Sequence, residues 1–120
     1  MGLVRVAATL RSLRASNGAL EADFLVDTDA TDSVAPSSSL REIGVEPIGA
    51  RAYELADGTR QEFEFGLAEI EILGEVTAGR ILFGADGAEP VLGVTALESA
   101  GFTVDPTTQQ PRKLPAIPLK

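Results

Sequence analysis

The most informative part of the sequence is residues 24–32, which read Phe24-Leu25-Val26-Asp27-Thr28-Asp29-Ala30-Thr31-Asp32. The first three residues are apolar and favour a strand, and this strand runs directly into an acidic turn. Asp is an ordinary turn residue, so one interpretation is a polar loop that caps a strand. Carboxylates at the end of a strand that looks buried are otherwise unusual, and the rest of the sequence favours a functional site.

Composition restricts the chemistry available to the chain. It has 120 residues, 44% of them hydrophobic, which predicts one globular domain. The absence of Cys excludes disulfides, thiolate metal sites and a Cys nucleophile. The absence of His excludes a Ser-His triad and removes the commonest metal ligand. Acid-base chemistry would have to come from carboxylates, Lys or Tyr, and we expect neither a metal nor a cofactor.

The charge of the chain bears on its partners. The formal net charge is −8, so we expect neither nucleic acid nor an anionic membrane as a partner. No apolar run approaches the length of a membrane span. Residues 1–13 lack the continuous apolar stretch of a signal peptide. These observations predict a cytoplasmic protein.

The chain before the acidic turn predicts a hairpin. Alternate residues from Val4 to Leu10 are apolar, which indicates a strand with one buried face. Asn17-Gly18 follows, and this dipeptide is the strongest short hairpin signal. Residues 19–26 then form the return strand, which places Asp27 at its far end.

A second hairpin is predicted over residues 51–73, with its turn at 56–59. Asp57-Gly58 in that turn is again a two-residue hairpin signal. The apolar residues of the return strand change parity near Gly66, which predicts a bulge or a bend. Such a hairpin can project beyond a small domain, although an ordinary meander corner fits the same pattern.

Two short helices are predicted by possible capping boxes. Ser39 with Glu42 fits a box for a helix over about residues 38–43, and Thr95 with Glu98 fits a second. Strands do not alternate with long helices, which argues against a parallel α/β sheet. The chain is therefore predicted to be mainly β, with six or seven short strands.

Glycines mark the ends of these elements. Gly44 and Gly101 are placed to end the two helices. Gly93 lies inside a short apolar run, where a glycine usually indicates a close approach of backbone or a bulge.

One use of the acidic turn is a pair of carboxylates that share a proton. One carboxylate takes a proton from water, and the other, protonated, donates to the scissile carbonyl. This chemistry needs no His, Cys or metal, but it needs two equivalent carboxylates. The chain offers one suitable aspartate, Asp27, and a two-fold homodimer would supply the second.

The sequence resembles the retropepsin-like (retroviral-type) aspartic proteases. Their active-site motif is two or three apolar residues and then Asp-Thr/Ser-Gly-Ala, and this chain has Leu25-Val26-Asp27-Thr28-Asp29-Ala30. Their second marker is a pair of apolar residues and Gly before a short helix, matched by Val91-Leu92-Gly93. The family's flap hairpin lies between the two, as the Asp57-Gly58 hairpin does here.

The resemblance covers roughly residues 3–106. It implies a small closed β-barrel with one or two short helices and a flap hairpin. It also implies a homodimer that hydrolyses peptides or proteins. We assign residues 1–106 to this domain and residues 107–120 to a Pro-rich tail, which could be a loose extension or an arm on a partner chain.

The resemblance also implies roles for individual residues. Asp27 matches the catalytic aspartate, and Thr28 matches the residue whose hydroxyl locks the two active-site loops across the dimer axis. The remaining matches support the active-site loop (Asp29, Ala30), line the substrate backbone (Thr31, Asp32) or form the flap tip over the substrate (Ala56, Asp57, Gly58, Thr59).

One departure from the family pattern is Asp29, which stands where the family has Gly. The glycine permits a tight turn close to the substrate, and Asp tolerates unusual backbone better than most residues. A second negative charge beside the catalytic pair would disfavour ionisation there. A weakly active or inactive dimer that binds extended peptides is therefore the alternative function.

A third hypothesis is phosphoryl transfer. Residues 27–31 also fit the Asp-x-Asp-x-Thr motif of haloacid-dehalogenase-type phosphohydrolases, in which the first Asp is the nucleophile and Mg²⁺ neutralises charge. That fold needs a larger parallel sheet and a downstream Lys. The only lysines here are Lys113 and Lys120, in the tail.

Overall fold

The computed structural model describes residues 4–14 and 18–119. Within them the chain forms nine strands and two short helices. In chain order the elements are β1 (Arg5–Ser12), β2 (Leu20–Val26), β3 (Ser33–Pro36), α1 (Ser37–Glu42), β4 (Gly49–Glu54), β5 (Arg60–Ile72), β6 (Glu75–Gly84), β7 (Val91–Leu92), α2 (Val94–Ser99), β8 (Phe102–Val104) and β9 (Pro111–Lys113).

Six of these strands close into a barrel. The main sheet has the order β1-β2-β7-β3-β6-β5-β4, and β1 also pairs with β5, which closes the ring and leaves β4 outside it. Most pairs are antiparallel, but β2 with β7 and β3 with β6 are parallel. The predicted mainly-β closed barrel with short helices is confirmed.

The barrel interior is filled from alternate positions of its strands. On β1 the predicted apolar face is buried, with Val6, Ala8 and Leu10 at most 8% exposed. Phe24 and Ile70 are also fully buried, at 0% and 1%. Burial of each of the larger of these side chains (Val, Leu, Ile and Phe) contributes about 1.5–3 kcal/mol before the entropy of folding is subtracted. No helix in the described part of the chain is long and apolar enough to cross a membrane.

The first hairpin is confirmed by its pairing. β1 and β2 are antiparallel, in a register that runs from Arg5 opposite Leu25 to Leu10 opposite Leu20. Of the predicted Asn-Gly turn, Asn17 lies outside the described residues. Gly18 has φ +100°, a conformation that glycine adopts readily.

The second hairpin is also confirmed, and of the predicted bulge or bend near Gly66 the bulge is wrong. Pairing of β5 with β6 continues without a break from Phe65 opposite Leu82 to Ile72 opposite Glu75. The apolar residues of β5 change parity because this strand leaves the barrel near Gly66. One face of the strand is covered before Gly66, and the opposite face is covered after it. A Cβ at Gly66 would lie 2.6 Å from the carbonyl oxygen of Glu46, which explains the glycine.

The predicted capping boxes are wrong for both helices. α1 has Pro36 at its N-cap, and α2 has Gly93, neither with a side-chain cap. In α1 the amide of Ser38 instead donates to Asp86 Oδ1 at 2.9 Å, from a loop 48 residues away. Gly44 and Gly101 do follow the helices with positive φ, as predicted.

The last part of the chain lies against its own domain. β9 pairs with β8, and the Leu114 amide donates to the Gly101 carbonyl at 2.8 Å. The ammonium of Lys113 forms an ion pair with Glu75. Neither β3 nor β9 was predicted as a strand. The division of the chain at residue 106 stays a prediction.

Candidate functional site

Asp27 is placed by a parallel strand pair. Leu25 and Val26 lie beside Val91 and Leu92 of β7, and the Asp27 amide donates to the Leu92 carbonyl at 3.1 Å. The half-buried Asp27 therefore follows the end of a strand inside the barrel wall. Because β7 pairs on one side of this strand end and β1 on the other, the backbone that carries the carboxylate is fixed.

The turn after Asp27 holds one carboxylate oxygen in place. The amide of Asp29 donates to Asp27 Oδ1 at 3.0 Å, and the amide of Ala30 donates to the Asp27 carbonyl at 3.2 Å. Such a turn, closed by its own aspartate, is a common local arrangement. The turn therefore fixes the orientation of the Asp27 carboxylate.

Asp29 occupies the turn without left-handed backbone. Among the described residues other than glycine, only Leu73 and Gln109 have positive φ. The glycine of the family pattern is therefore not required here for its conformational freedom. The side chain of Asp29 is exposed and adds a second carboxylate beside Asp27.

The N-terminus of α2 binds the far side of the turn. The amides of Val94 and Thr95 donate to the carbonyls of Ala30 and Thr31 at 2.8 and 3.1 Å. Helix N-termini have free amides, and here the turn supplies the acceptors that a capping side chain would otherwise supply. The predicted site residues Asp27, Ala30 and Thr31 are thus joined to one another and to α2.

Gly93 and Ser33 complete this contact. The Gly93 amide donates to Ser33 Oγ at 3.0 Å, and Ser33 is 1% exposed. A Cβ at Gly93 would lie 2.6 Å from the carbonyl carbon of Asp32, so the predicted close approach is confirmed. Sequence reasoning missed Ser33, because the glycine indicated an approach but not its partner.

Asp32 is engaged by the second hairpin. The Tyr53 hydroxyl donates to Asp32 Oδ2 at 2.6 Å, and Arg80 Nη1 lies 3.6 Å from the same oxygen. The side chain of Asp32 is 11% exposed. Burial raises the pKa of the Tyr53 hydroxyl, and its hydrogen bond to Asp32 raises it further. The chain order did not indicate that Tyr53 and Arg80 meet the turn.

The hairpin tip is exposed from Ala56 to Thr59. Asp57 Oδ1 accepts hydrogen bonds from the hydroxyl and amide of Thr59, at 2.6 and 2.9 Å, and both lower the pKa of Asp57. Gly58 has φ +87°, as the tight turn requires. The hairpin is thus connected to the acidic turn through Tyr53, on the strand that precedes the tip.

Thr28 lies at the edge of an apolar groove. The groove has a volume of about 560 Å³, and its lining includes Leu97, Phe102, Leu114 and Ile117. Thr28 is exposed, and so is Ile117, at 57%. The groove therefore starts at the acidic turn and continues along α2 and the last strands.

Comparison with known proteins supports the fold. No protein-family model and no curated protein matches the chain. Among solved structures, the chain is similar to the solution structure of the simian foamy virus (mac) protease, with a TM-score of 0.56 and 13% identity. The match covers 78% of this chain and 91% of that one. The chain has a retropepsin-like fold.

The phosphohydrolase hypothesis required a parallel sheet with crossover helices. The closed barrel does not match that requirement, since most of its strand pairs are antiparallel and the two helices found in residues 4–14 and 18–119 have six residues each. The motif at residues 27–31 thus lies in a different structural context from the one it needs.

Proposed function

We propose that this chain is an aspartic endopeptidase that acts as a homodimer. The observation that carries the proposal is Asp27, which follows a barrel strand and has one oxygen held by the Asp29 amide at 3.0 Å. This geometry occurs in a retropepsin-like barrel, although the similarity to a viral protease concerns the fold alone. A cytoplasmic location belongs to the same proposal.

The chemistry follows from two Asp27 carboxylates that share one proton. The ionised carboxylate takes a proton from water while the oxygen of that water attacks the peptide carbonyl carbon. The protonated carboxyl donates its proton to the carbonyl oxygen. The tetrahedral intermediate then collapses and the C–N bond breaks. The carboxyl that took the proton from water gives it to the leaving amine nitrogen, and a hydroxyl of the intermediate returns a proton to the other carboxylate.

The second carboxylate has to come from a second copy of the chain. An isologous interface places the same residue twice about a two-fold axis. The apolar groove that begins at Thr28 supports an interface at this position, since Ile117 and its neighbours expose apolar surface beside the turn. We propose that Thr28 braces the two turns across the axis.

The second hairpin would close over an extended peptide. Its exposed tip, residues 56–59, would cover the substrate from above, with Thr31 at the side of the groove. Asp32 was predicted as a substrate contact, but its carboxylate is bound by Tyr53. We therefore propose that Asp32 organises the site instead.

A peptide-binding protein without activity is the second candidate. The observation that favours it is Asp29, an exposed carboxylate two residues from Asp27. In a dimer, four carboxylates would then lie near the axis, and their mutual repulsion would weaken catalysis by the pair without removing the groove that binds peptide.

Peptide cleavage tests the proposal. The purified protein is incubated with a diverse peptide mixture from about pH 4 to pH 7, the range in which such pairs work, and the products are read by mass spectrometry. We expect cleavage that is lost in Asp27→Asn. Asp23→Asn is the matched control, because Asp23 is an exposed aspartate on the same strand, outside the turn.

Cleavage that survives in Asp27→Asn would exclude the proposed mechanism. Binding of peptides without cleavage by the unmodified chain would favour the second candidate.

A further inference from the structure

A cluster of four side chains joins the acidic turn to the second hairpin. It consists of Asp32, Tyr53, Phe65 and Arg80, and we call it the Asp32 cluster. The Tyr53 hydroxyl donates to Asp32 Oδ2 at 2.6 Å, and Arg80 Nη1 donates to the Tyr53 hydroxyl oxygen at 3.3 Å. The Arg80 guanidinium lies over the Phe65 ring, 4.4 Å from its centre. The cluster therefore connects the turn with β4, β5 and β6.

The Tyr53–Asp32 hydrogen bond is well placed to be strong. Hydrogen bonds with an ionised acceptor are shorter and roughly twice as strong as neutral ones. The carboxylate of Asp32 is 11% exposed, so water competes weakly for it. The Tyr53 ring also packs edge-on against Phe63, at 6.0 Å between centres, which limits its rotation.

Tyr53 lies near the outer end of the paired part of the second hairpin, where few other contacts hold the hairpin in place. Tyr53 lies opposite Gln61. Only one further residue pair, Glu54 opposite Arg60, lies between this pair and the hairpin turn. The outer part of the hairpin is a two-stranded ribbon. β4 pairs with β5 alone, and β5 pairs with β6 only from Phe65 onward. An isolated two-stranded ribbon is marginally stable. Side chains therefore decide where this ribbon lies relative to the turn.

We propose that the Tyr53–Asp32 hydrogen bond is a latch that holds the second hairpin against the acidic turn. Opening of the hairpin breaks this bond, and Arg80 keeps Asp32 oriented to re-form it. Tyr53 and Asp32 are then positioning residues. The role of the latch in closing over peptide rests on the proposed function, whereas the latch itself does not.

The test measures how far the hairpin tip lies from the barrel. The chain has no cysteine, so Ala56→Cys at the tip and Ala78→Cys on β6, both at exposed positions, can carry two spin labels. Pulsed electron spin resonance then gives the distance distribution between them. Excess unlabelled protein is added so that only distances within one chain are read.

We expect one dominant distance in the labelled parent. Tyr53→Phe keeps the ring but removes the donor, and it should raise the ratio of the longer, open distance to the closed one about tenfold. Asp32→Asn keeps an acceptor oxygen but removes the charge, so its increase should be smaller. Thr77→Val is the control, because it removes a hydroxyl contact between β6 and Ser99 of α2, and this contact is not part of the Asp32 cluster.

A Tyr53→Phe distribution identical to that of the parent would overturn the latch, and so would an equal change in Thr77→Val. The measurement uses no peptide, so a chain that cuts nothing can still have the latch, and a protease can still lack it. If cleavage is found, the latch further predicts a higher KM for Tyr53→Phe with a smaller change in kcat, because the closed hairpin contributes to binding.

Discussion

At the scale of single residues, the effect of Asp29 can be separated into charge and backbone. Asp29 has no positive φ, so replacing it with glycine relieves no strain. Its exposed carboxylate adds negative charge beside Asp27. In the proposed dimer this charge disfavours ionisation of the catalytic pair, since like charges within a few ångströms repel.

We predict that Asp29→Asn and Asp29→Gly act alike. Both should raise kcat/KM to a similar extent, because each removes the exposed carboxylate beside Asp27 and neither relieves backbone strain. The value is measured on a peptide found in the cleavage screen. An increase in activity confined to Asp29→Gly would instead mean that the backbone at this position limits the site.

A second residue-scale prediction concerns Gly93. Gly93→Ala should lower the free energy of unfolding by about 1–3 kcal/mol, because its Cβ would meet the backbone of Asp32 at 2.6 Å. Gly79→Ala is the matched control, since nothing lies within 4 Å of a Cβ there. The control should leave stability unchanged or raise it by up to about 1 kcal/mol.

Urea unfolding of the two glycine variants provides the measurement. Equal midpoints for Gly93→Ala and Gly79→Ala would contradict the tight contact between α2 and the turn.

At the scale of elements, local signals in the sequence predicted the hairpins but not the helix caps. The Asp57-Gly58 turn carries its own geometry, with Gly58 in the left-handed region. The caps are supplied from elsewhere: Asp86 serves α1 across 48 residues, and the carbonyls of Ala30 and Thr31 serve α2. No pattern of four residues can encode such partners.

The same distinction applies to the candidate site. The motif at residues 25–30 predicted the acidic turn, because strand and turn are adjacent in sequence. The contact of Tyr53 with Asp32 spans 21 residues, and it depends on how the second hairpin lies over the barrel. The strand β3 was missed because only four residues separate the turn from α1.

The cap of α1 should make the stability of the protein depend on pH. The Ser38 amide donates to Asp86, which lowers the pKa of this carboxyl below its ordinary value. A carboxyl with a lowered pKa in the folded state contributes stability above its unfolded pKa, and this contribution is lost as the pH falls through the folded value. Asp86→Asn should therefore lower the urea midpoint at pH 7.

The difference between Asp86→Asn and the parent should shrink as the pH falls below about 4, the ordinary range of Asp. Asp23→Asn provides the comparison for an exposed aspartate on a strand. A difference that stays constant down to about pH 2 would show that the charge of Asp86 is not what stabilises α1.

At the scale of the whole molecule, charge and apolar surface act in opposite directions on a dimer. Each chain carries −8, so a pair carries twice −8, or −16. This repulsion is long-ranged and is screened by salt, with a Debye length of about 10 Å at 0.1 M. The apolar groove beside Thr28 supplies attraction that salt does not screen. Added salt should therefore strengthen the proposed dimer.

We predict that Ile117→Glu weakens association, because it places a charge in the apolar groove at a position that is 57% exposed in the single chain. Val76→Glu is the matched control: Val76 is 59% exposed, so the substitution is equally tolerable to the fold, and Val76 does not line the groove. Sedimentation velocity over micromolar concentrations, at low and high salt, measures the dimer fraction of both variants.

A loss of dimer restricted to Ile117→Glu would also be expected to remove cleavage, because a single chain holds one Asp27. Cleavage by a strictly monomeric Ile117→Glu protein would contradict the shared pair of carboxylates even if Asp27→Asn were inactive. An equal effect of Val76→Glu would mean that added charge, rather than the groove, controls association.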